Sequence, residues 1–200
     1  MTSMPRVKIA PDWARWASEI FQPPLTLAAL LVALPWGANP GVWSLLWGLA
    51  AAVFVCGVPL SVVLVLVRRG VLTDHHVSEK AQRRPVMIGT LVMVVGFLIA
   101  ALYFKGPVEI VGLLASTVLA GTLLAVVSPW WKISSHGMMM GGTVVVLTVS
   151  WGPFGLLFIP VALFVSWSRT KLQAHSGSQV IAGFLYGVVV LGGIYAWLVL

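Results

Sequence analysis

Long apolar runs fill most of this 200-residue chain and limit what it can fold into. A run of about twenty residues is the length that an α-helix needs to cross the hydrocarbon core of a bilayer. The runs occupy residues 24–37, 42–68, 86–104, 107–128, 138–151, 153–167 and 178–199. We therefore expect an all-α, polytopic transmembrane helical bundle of six or seven spans, depending on whether the short first run crosses.

The N-terminal residues differ from the apolar remainder. Trp13, Trp16 and Ile20 recur three to four positions apart with charged residues between them. This spacing is typical of an amphipathic helix that lies in the membrane interface. The pattern of a cleaved signal peptide is missing, so we expect these residues to stay on the mature protein. We predict an N-terminal interfacial segment over 1–23 and a single transmembrane domain over 24–200.

Composition argues against several classes of function. The net charge of +7 accompanies membrane segments, and no soluble module is present to read a nucleic acid, so we expect no nucleic-acid partner. The single cysteine, Cys56, can form neither an internal disulfide nor a thiolate metal site. The five acidic residues cannot form the paired aspartate-rich motifs that hold magnesium diphosphate. We expect no cofactor, and a homo-oligomer remains open.

Three short polar stretches, at 72–85, 131–137 and 168–180, interrupt the apolar runs and hold all four histidines. Ionisable residues near lipid cost roughly 2.5–3.5 kcal/mol each at mid-bilayer, so this clustering indicates one site. If each run crosses once, an even number of crossings separates the stretches, which places them on one side of the membrane. That side also collects every lysine and arginine except Lys105, so the positive-inside rule predicts a cell-membrane protein with a cytoplasmic site.

The third stretch has the most specific chemistry. Arg169 is followed by His175 and, four residues later, by Gln179 at the start of the last apolar run. If 175–179 is helical, the last two side chains share a face and can hydrogen-bond. An imidazole nucleophile beside a guanidinium that clamps oxyanions suits attack on a phosphorus centre.

The other two stretches add an acid and further phosphate ligands. His136 could protonate a departing alkoxide, while the hydroxyls of Ser134 and Ser135 and the charge of Lys132 hold phosphate oxygens at a helix start. In the first stretch, cationic residues just before Pro85 would neutralise phosphate charge. These residues are Lys80, Arg83 and Arg84.

The same residues resemble the type 2 phosphatidic acid phosphatase superfamily of membrane lipid phosphatases, to which the vanadium haloperoxidases are related. That family's pattern is a lysine leading to an arginine-proline pair, then PSGH, then SR, five residues, H, three residues and D. The order and the last spacing are present between residues 72 and 180.

The resemblance carries over position by position to the residues that match the pattern. Arg84 with Pro85 corresponds to the arginine-proline pair, with Lys80 taking the lysine position. Ser134 and His136 correspond to the serine and histidine of PSGH, Arg169 to the phosphate-binding arginine and His175 to the nucleophile. The resemblance implies metal-independent phosphoryl transfer through a phosphohistidine, in which His136 protonates the leaving lipid oxygen.

The sequence departs from the family pattern in one spacing and at three positions. Lys80 precedes Arg84 by four positions, where the family pattern has seven. Ile133 replaces proline and Ser135 replaces glycine in the second motif. Gln179 occupies the aspartate position, where a neutral amide can orient an imidazole but cannot balance imidazolium charge. We predict a membrane lipid as substrate, either a lipid phosphate or a polyprenyl mono- or diphosphate.

Alternative interpretations remain open. A non-catalytic member of the same fold could bind or transport a lipid phosphate after losing turnover with the aspartate. A small transporter could use the histidines as a proton relay, although acidic partners inside the apolar runs are nearly absent. The acidic residues and histidines of the first stretch fit no strong metal motif, and neighbouring cations oppose one, so we expect no metal. That group consists of Asp74, His75, His76 and Glu79.

Overall fold

The structure, a computed structural model, describes residues 11–75, 77 and 79–200. Within that part, the side chains of Lys80 and Arg83 are not described. Predictions that concern the first ten residues, His76 or the Lys80 side chain therefore lie outside the described residues.

Every regular element in the described part of the chain is a helix, which confirms the all-α prediction. Two π-helical turns and one 3-10 turn interrupt the α-helices. In chain order the elements are α1 (Asp12–Ile20), α2 (Pro23–Ala38), α3 (Val42–Ala51), a π turn (Ala52–Gly57), α4 (Val58–Arg68), α5 (Lys80–Tyr103), α6 (Val108–Val127), α7 (Ser135–Trp151), the 3-10 turn (Gly152–Phe158), α8 (Ile159–Lys171), α9 (Gly177–Tyr186), a second π turn (Gly187–Gly192) and α10 (Gly193–Val199).

Five continuous helical stretches are long and apolar enough to cross a membrane, which indicates a membrane protein. Helices α1 and α2 meet at a 45° bend and together pass the same test, which makes a sixth. The five are Val42–Arg68, Arg84–Tyr103, Val108–Val127, Ser135–Lys171 and Gly177–Val199. The count of five, or six with α1 and α2, reaches the lower end of the six or seven predicted, and the apolar runs 138–151 and 153–167, which the prediction counted separately, lie in one stretch.

That stretch folds back on itself at Gly152. This residue has a φ of +66°, a left-handed conformation that glycine adopts without steric cost. His136 at the start of α7 and Arg169 near the end of α8 both contact the hydroxyl of Ser18. Helices α7 and α8 therefore form a hairpin whose two ends reach the same side of the bundle.

Helix α1 packs against α8 through aromatic rings and small side chains. The ring of Trp13 lies 5.2 Å from that of Trp167 and 5.1 Å from that of Phe164. The buried face of α1 consists of Ala14, Ala17 and Ser18. The side chains of Trp16 and Ile20 are exposed. An exposed apolar face suits the predicted interfacial placement of this helix, which stays a prediction.

Helix α7 lies at the centre of the bundle, and its side chains from His136 to Leu147 are almost all buried. It packs closely on α9 and the following π turn because glycines let the two backbones approach. A Cβ added to Gly141 would collide with the carbonyl oxygen of Phe184, and one added to Gly187 with that of Met138. This contact brings the starts of α7 and α9 together, which positions the second and third polar stretches side by side.

We expect Gly141→Ala to destabilise the protein by about 1–3 kcal/mol, because a methyl group has no room between α7 and α9. The matched control is Gly96→Ala in α5, where an added Cβ meets no atom within 4 Å. Thermal unfolding in detergent, followed by tryptophan fluorescence, measures both. Equal unfolding temperatures for the two variants would contradict the close packing of α7 on α9.

Candidate active site

One cavity of about 370 Å³ brings residues from all three polar stretches together. Short connections make this possible, since the second and third stretches lie just before α7 and between α8 and α9. The polar wall includes His75 from the first stretch, Lys132, Ser135 and His136 from the second, and Arg169 and His175 from the third.

The rest of the cavity wall is mainly apolar. It is formed by side chains of α2, the first π turn, α4, α5, α6 and α7, among them Leu27, Cys56, Leu60, Met87, Leu124 and Met138. Among the described residues, no carboxylate lines the cavity, whereas Lys132 and Arg169 bring cationic groups to it. A ligand with an anionic head and an apolar tail matches such a wall.

The imidazole of His175 is held in one tautomer. Its Nδ1 lies 3.2 Å from the backbone oxygen of Lys132, and because a carbonyl only accepts, Nδ1 carries the hydrogen. The lone pair therefore resides on Nε2. Burial, together with the charges of Lys132 and Arg169, lowers the pKa of His175 to about 4. The ring is neutral near pH 7, which is the protonation state that a nucleophile requires.

Gln179 caps the helix that follows His175. It forms a capping box with Ser176: the serine hydroxyl accepts from the Gln179 N–H at 3.3 Å, and Gln179 Oε1 accepts from the Ser176 N–H at 3.0 Å. Helix α9 begins at Gly177 with Ser176 as its N-cap, so His175 lies just before the helix and does not share a helical face with Gln179. The Gln179 side chain nevertheless raises the pKa of the His175 imidazole, against the larger effect of burial.

Arg169 lies buried near the end of α8, with only 6% of its surface exposed. Its Nη1 donates to the hydroxyl of Ser18. Its buried Nε has no hydrogen-bond partner among the described residues. A buried donor without an acceptor destabilises the folded state by about 1–3 kcal/mol, and by more when the donor is charged. An oxyanion in the cavity would supply the acceptor that Nε of Arg169 lacks.

Ser134, Ser135 and His136 lie at the start of α7 and have different contacts. The ring of His136 is 3% exposed, and its Nε2 lies 3.2 Å from the backbone oxygen of Ser18. Ser134 is the N-cap, since its hydroxyl accepts from the Gly137 N–H at 3.2 Å. Only Ser135 of the two serines lines the cavity. The predicted phosphate-binding role of Ser134 therefore competes with helix capping and stays a prediction.

The cationic residues of the first stretch lie at the start of α5. Arg84 is exposed and is not among the cavity-lining residues. The predicted role of Lys80 concerns a side chain outside the described part. Of the predicted phosphate ligands, the cavity therefore brings together Lys132, Ser135 and Arg169.

Sequence reasoning missed the contribution of α1 to this region. Ser18 contacts Arg169 and His136, and the carboxylate of Glu19 lies 3.2 Å from Nε2 of His75. The only local signal was the amphipathic pattern of α1, which indicated a membrane surface and not a partner within the bundle. These contacts join residues far apart in the chain, so no spacing rule reveals them.

No family model, curated protein or solved structure matches this chain. The described residues also contain no group of three or more histidine, cysteine, aspartate or glutamate side chains placed to hold a metal ion. The chemistry of the cavity therefore has to be argued from its own side chains.

We expect His175 to titrate near pH 4, because burial and two neighbouring cations penalise its protonated form. Since the folded pKa lies below the unfolded value of about 6.5, the folded state loses stability as the pH falls from about 6.5 toward 4. Histidine-selective NMR of the purified protein measures the midpoint, and His175→Asn assigns the signal. Gln179→Glu, which keeps the side-chain length and adds a charge, should raise the midpoint. A wild-type midpoint near 6.5 would contradict this description.

Proposed function

We propose that this chain is an integral membrane phosphatase that hydrolyses a lipid phosphate or a polyprenyl mono- or diphosphate through a phosphohistidine, without a metal. The observation that carries the proposal is the shared cavity wall of His175 and Arg169. One presents a neutral imidazole with its lone pair on Nε2, and the other a buried guanidinium with an unpartnered Nε. A nucleophile and an oxyanion clamp on one wall suit phosphoryl transfer.

In the first step, Nε2 of His175 attacks phosphorus while the bond to the lipid oxygen breaks. Arg169, Lys132 and Ser135 line the same cavity and would hold the phosphate oxygens. The N-terminus of α7 adds backbone N–H groups that favour an anion. The hydrogen bond from Nδ1 to the Lys132 oxygen keeps Nε2 as the attacking atom throughout.

In the second step, water hydrolyses the phosphohistidine and returns His175 to its starting state. The resemblance to the type 2 phosphatidic acid phosphatases assigns the proton donor of the first step to His136. Gln179 takes the place of the family's aspartate in orienting His175, through an amide in place of a carboxylate. The scheme needs no metal, since the cations of the cavity neutralise the phosphate charge.

The shape of the cavity supports a lipid as substrate. Its apolar wall of methionine, leucine, valine and isoleucine side chains would surround an acyl or prenyl tail, while the polar wall meets the phosphate. The excess of lysine and arginine on the site side favours the cytoplasmic face. A cytoplasmic site would act on newly synthesised lipid intermediates.

We expect purified protein to release phosphate from phosphatidic acid, phosphatidylglycerol phosphate or a polyprenyl phosphate with EDTA present. His175→Ala should lower the rate on the order of 10⁴-fold or more, since it removes the nucleophile. The measurement is phosphate release in detergent micelles, with thermal unfolding as the control for folding.

The alternative is a lipid-phosphate binding or transport protein, which the neutral Gln179 beside His175 favours. Protein that is folded, binds one of these lipids and releases no phosphate would favour this alternative and overturn the phosphatase. Gln179→Glu separates the two further, because an added carboxylate should preserve or raise turnover only in an enzyme.

We expect substitutions of Arg169 and Arg84 to have very different effects on kcat/KM. Arg169→Gln should lower kcat/KM about 10²–10³-fold, the usual cost of losing an oxyanion donor. Arg84→Gln removes the same charge from an exposed position outside the cavity wall and should change kcat/KM less than tenfold. Equal losses in the two variants would show that Arg169 contributes charge alone and not a positioned clamp.

A further inference from the structure

His75 and Glu19 form a carboxylate–imidazole pair at the edge of the cavity. Nε2 of His75 lies 3.2 Å from both oxygens of the Glu19 carboxylate. A carboxylate only accepts, so Nε2 carries a hydrogen and the second proton of the protonated ring is on Nδ1. The ring lines the cavity, and its side chain is 34% exposed. A histidine oriented by a carboxylate on one nitrogen and exchanging a proton on the other is the usual arrangement of a general acid–base.

We propose that His75, oriented by Glu19, is the proton donor to the leaving oxygen and the proton acceptor from the hydrolytic water. This inference rests on the proposed phosphatase function and changes its assignment of the acid. His75 would be a catalytic residue, whereas Glu19, which acts through it, is a positioning residue.

The contacts of His136 explain why this histidine is the weaker candidate. Its Nε2–H donates to the backbone oxygen of Ser18 at 3.2 Å, and the ring is 3% exposed. His75 instead contacts a carboxylate, and its side chain is 34% exposed, so it can exchange a proton with water more readily than the buried His136.

The proposed steps balance in atoms and protons. As Nε2 of His175 forms its bond to phosphorus, the bond from phosphorus to the lipid oxygen breaks, and Nδ1–H of protonated His75 gives that oxygen its proton. Neutral His75 then takes a proton from water as the water oxygen attacks phosphorus. The bond from phosphorus to His175 breaks, inorganic phosphate leaves, and His75 is protonated again.

Glu19 also supplies the negative charge that Gln179 does not. It interacts electrostatically with Arg169, and its carboxylate is held against His75. The site therefore has one carboxylate next to a histidine. This carboxylate, Glu19 of α1, contacts His75 and not the proposed nucleophile His175.

The test compares two phosphate esters that differ in their need for a proton. Dodecyl phosphate releases an alkoxide, which must be protonated, and 4-nitrophenyl phosphate releases a stable phenolate. His75→Asn should lower kcat/KM for dodecyl phosphate roughly 10²–10⁴-fold and kcat/KM for 4-nitrophenyl phosphate less than tenfold. The comparison uses kcat/KM because it covers the steps up to release of the alcohol and not the hydrolysis of the phosphohistidine, which both esters share. Glu19→Gln should show a smaller loss with the same preference for the alkyl ester.

Three further variants make the comparison decisive. His75→Gln repeats the test in case His75→Asn does not fold, and thermal unfolding checks both proteins. Asp12→Asn removes an equal charge from the exposed first turn of α1 and should leave both rates unchanged. His136→Asn should affect the two esters equally if its role is to hold Ser18.

The outcomes separate this inference from the function on which it rests. If the wild type hydrolyses dodecyl phosphate but the His75 variants lose kcat/KM for both esters equally or for neither, the assignment of His75 as proton donor is overturned and the phosphatase stands. A preference for the alkyl ester that appears in His136→Asn instead would return the proton donor to His136. If the folded wild type hydrolyses neither these esters nor any lipid phosphate, the phosphatase itself fails, and this inference fails with it.

Discussion

The buried guanidinium of Arg169 is the constraint on which the arrangement of the site depends. A charged group inside an apolar bundle is costly unless acceptors and opposite charge surround it. Helix α1 provides both, through the hydroxyl of Ser18 and the carboxylate of Glu19. Because these residues are adjacent, the docking of α1 on α8 that brings Ser18 to Arg169 also brings Glu19 to His75.

Main-chain contacts position the nucleophile as much as side chains do. The Ser134 N–H donates to the backbone oxygen of Gln179 at 3.2 Å, which ties the start of α7 to the start of α9. His175 lies in the short connection before α9 and donates to the oxygen of Lys132. The second and third polar stretches are therefore bound to each other directly, on top of the glycine-mediated packing of the helices behind them.

The sequence could predict what depends on local pattern. Apolar runs of bilayer length predicted the helices, and the even number of crossings between the polar stretches predicted that Lys132, Arg169 and His175 would lie on one side. Contacts set by tertiary packing have no local sequence pattern, because they join residues far apart in the chain. Ser18 and Arg169 are 151 positions apart, and Glu19 and His75 are 56 apart. The spacing of His175 and Gln179 left open whether 175–179 is helical, and the capping preference of Ser176 starts the helix only at Gly177.

The hydrogen bond between Arg169 and Ser18 has a thermodynamic consequence for a ligand that takes the same hydrogen. Nη1 carries two hydrogens, and a phosphate oxygen that takes the one donated to Ser18 displaces the Ser18 hydroxyl, so that such a ligand and helix α1 compete for one donor. The apparent affinity of the site is then its intrinsic affinity scaled by the fraction of molecules in which this donor is released. Occupancy of the cavity and the position of the N-terminal helix are thus linked, and each shifts the other by the same free energy.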